Sequence, residues 1–67
     1  MDKRTAANLA VKKKITDAVF KLMGDKDIAD ISVTEIIGEA GVARASFYRN
    51  YSSKEDVLLV HIHDILQ

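Results

Sequence analysis

Cysteine and proline are both absent from this 67-residue chain. Without cysteine there can be no disulfide and no four-cysteine zinc site, and nothing points to an oxidising compartment, so a cytoplasmic protein is the default expectation. Long apolar runs are missing as well: no stretch of about 18 apolar residues occurs, and residues 1–14 lack the unbroken apolar segment of a signal peptide. The sequence therefore predicts neither a membrane span nor export. An excess of one charge is also lacking, because ten basic residues balance ten acidic ones. Taken alone, that balance argues against a nucleic-acid partner. A chain this short forms one domain, buries only about 60% of its unfolded surface, and has modest stability by itself.

Catalytic and metal-binding equipment is missing too. No serine, histidine and acid stand in a recognisable motif, there is no glycine-rich phosphate loop, and no paired carboxylates sit in an evident apolar pocket, so enzyme activity is not expected. Asp25, Asp27 and Asp30 are spaced closely enough to suggest a calcium loop. Such a loop starting at Asp25 needs glycine sixth and glutamate twelfth, and those places hold Asp30 and Ile36. His61 and His63 lie two apart, on different sides of a helix, whereas a metal-binding pair needs a spacing of four. No catalytic residue, metal ligand or cofactor site is nominated.

What is present is charge segregated along the chain. Residues 1–14 hold Lys3, Arg4, Lys12, Lys13 and Lys14 against Asp2, a balance of +4. Residues 15–43 hold two lysines against six acids, −4, and residues 44–54 hold Arg44, Arg49 and Lys54 with no acid, +3. Residues 55–67 return −3 through Glu55, Asp56 and Asp64. A neutral molecule can thus carry one basic face that attracts phosphates.

Residues 1–6 have no apolar period and read as a frayed, solvated arm. From about Ala7 to Met23, the positions Val11, Ile15, Ala18, Val19, Leu22 and Met23 follow helical spacing, and Gly24 marks the end of this first helix. Ile28 and Ile31 then pin an acidic connection to the core. Ser32-Val33-Thr34-Glu35 is a capping box that opens a second helix, in which Ile36, Ile37 and Ala40 form the apolar stripe. Two readings of the Ser32 and Thr34 hydroxyls stand here, a cap or a backbone-phosphate contact.

Gly41 sits where a helix ends in a left-handed residue, Val42 returns to the core, and residues 43–49 make a third helix. Ala45, Phe47 and Tyr48 are available for packing, while Arg44, Ser46 and Arg49 can face outward as hydrogen-bond donors. This is a helix-turn-helix pattern with a basic second helix. A further capping box, Ser52-Ser53-Lys54-Glu55, opens a fourth helix that runs to the end of the chain. Val57, Leu58, Leu59, Val60, Ile62, Ile65 and Leu66 are too many apolar positions for one stripe, so two faces are expected to be buried. One face can pack on the helix-turn-helix core, but the chain supplies nothing obvious to cover the other, which predicts a further domain or a subunit partner; the pattern also stops abruptly at Gln67.

Ala40-Gly41-Val42, Phe47-Tyr48 with Tyr51, and Ser53-Lys54-Glu55-Asp56 stand together at offsets that, with helix one and helix two, resemble the DNA-binding domain of the tetracycline-repressor (TetR) family of bacterial transcription regulators. The resemblance runs from Ile15 to about Leu59. It implies an all-α fold, with residues 1–67 a three-helix helix-turn-helix domain and a fourth helix leading into a C-terminal ligand-binding and dimerisation domain outside this sequence. It further implies a homodimeric, ligand-responsive repressor that binds a double-stranded DNA operator and is released by a small-molecule effector.

Carried over by position, Arg44, Ala45, Ser46 and Arg49 face the bases, and Ser32, Thr34, Tyr48 and Lys54 meet phosphates. Ala43 departs from the pattern, standing where serine or threonine often caps the third helix. The competing function class is a small helical protein-interaction module that uses the apolar face of helix four.

Overall fold

The computed structural model describes the backbone of residues 3–66 and the side chains of residues 8–66. Among the described residues the fold consists of four α-helices and one short 3₁₀ turn: α1 (Lys3–Met23), the turn Ile28–Asp30, α2 (Val33–Ala40), α3 (Arg44–Asn50) and α4 (Lys54–Leu66). No strand occurs among the described residues, so the architecture is all-α. Gln67, where the apolar pattern breaks off, lies outside the described residues.

α1 is the hub, since it packs on each of the other three helices. Its apolar spacing delivers Ile15, Ala18 and Val19 fully into the core, while Val11, Leu22 and Met23 pack against the edge of it. The helix starts earlier than the sequence pattern suggests. The expected arm over residues 1–6 is helical from Lys3 onward, while Met1 and Asp2 lie outside the described residues. Lysine, arginine and alanine, which dominate residues 3–7, are good helix formers even without an apolar stripe. Phe20, one turn beyond Thr16, remains 45% exposed and meets the His61 ring of α4 edge-on at 5.0 Å.

At the end of α1 the Gly24 amide donates to the Lys21 carbonyl and the Asp25 amide to that of Leu22, which closes the helix in a tight turn. Ile28 packs on the core and Ile31 is buried, so the acidic connection is pinned as its two isoleucines require. Ser32 then begins α2 with both reciprocal bonds: its Oγ accepts from the Glu35 amide at 3.0 Å, and the Glu35 carboxylate accepts from the Ser32 amide at 3.2 Å. Gly41 ends α2 at φ 70°, ψ 35°, with its amide and that of Val42 both donating to the Ile37 carbonyl.

α4 starts at Lys54, and only its cap differs by one residue from the sequence expectation. Ser53, not Ser52, caps the helix by accepting from the Asp56 amide at 3.1 Å, and the Asp56 carboxylate reaches back to the Ser52 amide at 3.0 Å. Asp56 is shorter than glutamate, and the amide that donates to it is that of Ser52, one residue before the cap. α4 buries Val57 completely and rests Leu58 and Val60 on the core. Leu59, Ile62, Ile65 and Leu66 remain 52 to 80% exposed, so among the described residues only one of its two apolar faces is covered.

The glycines give a direct test of this backbone. Gly38 lies inside α2 with nothing within 4 Å of an added Cβ, whereas Gly41 holds the left-handed turn. Gly38→Ala should stabilise by about 0.5–1 kcal/mol and Gly41→Ala destabilise by about 1–2 kcal/mol. Thermal unfolding should therefore shift in opposite directions, by roughly 4–8 °C per kcal/mol.

Candidate nucleic-acid interface

α3 is seven residues long and receives no side-chain cap, because Ala43 precedes it. Its orientation is fixed from one position. Phe47 is fully buried, and its ring meets Tyr51 at 5.9 Å and Tyr48 at 5.1 Å. Successive helical residues are 100° apart, so Ala45 and Arg49 share the face turned away from Phe47. Both are exposed. Ser46 and Tyr48 flank that face, Ser46 half-buried and Tyr48 50% exposed. Arg44, also exposed, lies on the side of α3 nearest the start of α2.

Two details of the sequence reading are corrected here. Ala45 and Tyr48 are not core residues: with one buried anchor in two turns, only Phe47 points fully inward. Tyr48 lies against Phe47 by its edge and leaves the rest of its ring toward solvent.

The N-terminus of α2 adjoins this face. Ser32 and Thr34 are exposed, and the Thr34 hydroxyl accepts a hydrogen bond from Nη2 of Arg44 at 2.6 Å. The structure thus brings together Thr34 and Arg44, ten residues apart, and so joins the first turns of α2 and α3. Lys54 is more deeply engaged than a solvated lysine. Its half-buried ammonium donates to the carbonyls of Ala29 at 3.1 Å and Ile31 at 2.8 Å, tying the first residue of α4 to the segment that precedes α2. Neither link has a local sequence signal, since each joins residues far apart in the chain. Asn50 closes α3, as its place before Tyr51 at the end of the segment leads one to expect, by donating from Nδ2 to the Ser46 carbonyl at 2.9 Å.

Charge around the face is organised by pairing. Among the described residues the ion pairs are Lys13 with Asp17, Lys21 with Glu39 and Lys26 with Glu35, and none includes an arginine of α3. Helix, left-handed glycine turn, and second helix with an outward arginine face form a helix-turn-helix. A family model described as bacterial regulatory proteins, tetR family, matches residues 15–60, more than half of the chain. The chain belongs to the TetR family.

This TetR-family chain is also similar to two uncharacterized HTH-type transcriptional regulators of Mycobacterium tuberculosis, one from each of two strains. Each is 36% identical over 50 residues, covering 75% of this chain and 25% of the relative. The chain therefore spans about a quarter of the length of these curated relatives. No solved structure gives a significant match. No helix among the described residues is long and apolar enough to cross a membrane.

In this TetR-family head, Glu35 carries the electrostatics of the α2 start. The Lys26 ammonium hydrogen-bonded to it, and then the Ser32 amide, hold its carboxyl below the usual carboxylate range. A depressed folded-state value means that the stabilisation is complete above the unfolded value of about 4.3 and is lost as pH falls through the lower folded value. Urea midpoints should thus decline on acidification below about pH 4, and Glu35→Gln should flatten the curve in that window. An unchanged acid limb in the variant would contradict this role for Glu35.

Proposed function

We propose that this chain is the sequence-specific, double-stranded-DNA-reading head of a bacterial transcription regulator. The observation that carries the reading is the outward face of α3, where Arg49 and Ala45 lie opposite the buried Phe47, inside a TetR-family helix-turn-helix. α3 enters the major groove. Arg44, Ala45, Ser46 and Arg49 face base edges, because an arginine can donate two bonds to guanine O6 and N7 while a small alanine lets the helix approach closely. Ser32, Thr34, Tyr48 and Lys54 meet phosphates on either side. Lys54 uses two of its three ammonium hydrogens on the Ala29 and Ile31 carbonyls, so one remains for a phosphate oxygen.

Residues 1–67 form the N-terminal domain of a longer, cytoplasmic, homodimeric repressor whose C-terminal domain dimerises and takes a small-molecule effector. The length of the relatives and the uncovered Leu59, Ile62, Ile65 and Leu66 support a further domain. Effector binding there moves α4 and so resets the spacing of the two reading heads. The same apolar face of α4 favours a second reading, a protein-interaction module in which the α3 face is only solvated.

Two substitutions separate base reading from phosphate contact. Arg49→Ala should relax preference at one base pair, losing about 1–3 kcal/mol of discrimination there. Lys54→Met should weaken binding to all duplexes alike, lower the slope of log affinity against log salt by about one, and reduce thermal stability through the lost carbonyl bonds. Equal effects of both variants on every duplex sequence would contradict this division of roles.

A further inference from the structure

Arg44 is held at one edge. Its Nη2 donates to Thr34 Oγ1 at 2.6 Å, although both residues are exposed. Nη2 has two hydrogens and belongs to both bidentate edges of the guanidinium, one shared with Nε and one shared with Nη1. Thr34 occupies one of these hydrogens. A single edge is left for a two-bond pairing, and the plane of the guanidinium is set against the first turn of α2.

The anchor belongs to a capped helix start. Thr34 stands two residues after Ser32 in a helix start locked by the reciprocal Ser32 and Glu35 bonds. Glu35, the carboxylate next to Thr34, is engaged by Lys26 and does not draw the arginine away. The hydroxyl accepts from Arg44 through a lone pair, so its own hydrogen stays free to donate to a phosphate. One side chain can therefore touch the DNA backbone and aim a neighbouring base reader.

We propose that Thr34 is a specificity-determining residue that acts through Arg44: it pre-orients the guanidinium so that Arg44 reads one base pair in one pairing geometry. This rests on the DNA-reading function proposed above and goes beyond it, because it makes Thr34 a positioning residue for base selection as well as a backbone contact. Pre-orientation raises discrimination because less side-chain freedom is lost when the correct base is met. A pairing that approaches the other edge of the guanidinium is excluded, since Thr34 already occupies it.

The test is selection of the 67-residue chain on a duplex pool with a randomised core, followed by sequencing of the bound fraction, with circular dichroism confirming that each variant is folded. Arg44→Ala identifies the base pair that Arg44 reads. Thr34→Val, which keeps the shape and removes the acceptor, should lower discrimination at that same base pair roughly two- to tenfold and leave other positions unchanged. Thr34→Ser should restore it. In an Arg44→Ala background, Thr34→Val should change no base preference.

A Thr34→Val variant that weakens binding to all duplexes equally while keeping every base preference would overturn the proposal. So would an Arg44→Ala variant that retains every preference, with DNA reading itself still standing. Failure of the unmodified chain to enrich any duplex sequence would instead remove the DNA-reading function, and this inference with it.

Discussion

The burial of Phe47 is the constraint on which the interface depends. A helix of seven residues is far too short to be stable alone, and Ala43 contributes no cap. Tertiary packing therefore sets the position and rotation of α3. Burying one phenyl ring stabilises by roughly 1.5–3 kcal/mol, and it also acts as an orientational lock. With Phe47 turned inward against a core that includes Ile15, Ile36 and Val57, Ala45 and Arg49 can only turn outward. Gly41 supplies the other end of the lock, because its left-handed backbone lets α3 leave α2 at the angle that seats Phe47.

Electrostatics adds selectivity to that geometry. A neutral total conceals an arrangement in which three lysines outside α3 are matched to carboxylates, while the arginines of α3 are left facing solvent. Exposed pairs of this kind contribute little to stability, about 0–1 kcal/mol each. Their larger effect is on the field, since carboxylates close to their own lysines do not cancel the potential over α3. Guanidinium groups also suit planar, two-bond recognition in a way that ammonium groups do not. Lysine serves instead at Lys54, where one ammonium reaches two carbonyls in different directions and links α4 to the segment before α2.

Most of the fold was legible because its signals are local. The capping box of Ser32 and Glu35 depends on residues three apart, the Gly41 turn on one backbone conformation, and the core face of α1 on a repeat that any helix imposes. The cap of α4 was misread by one residue, since Ser52 and Ser53 each stand three before an acid, Glu55 and Asp56, and local pattern cannot choose between them. The start of α1 was missed because residues 3–7 have helix propensity without apolar period. Exposure on α3 was misjudged for Ala45 and Tyr48, because apolar character alone does not say how many residues a two-turn helix can bury. The links of Arg44 to Thr34 and of Lys54 to Ala29 and Ile31 have no sequence signature, as each exists only once the helices have packed.

The most direct test of the central claim is a nitrogen-proton NMR titration of the chain with a mixed-sequence DNA duplex at low salt, where weak binding is still resolved residue by residue. The account predicts shifts confined to residues 32–34 and 44–54 and reversed by added salt, because that surface alone combines the α2 start with the outward arginines. Shifts absent there, or concentrated instead along Leu58 to Leu66, would contradict it and transfer the binding function to the apolar face of α4.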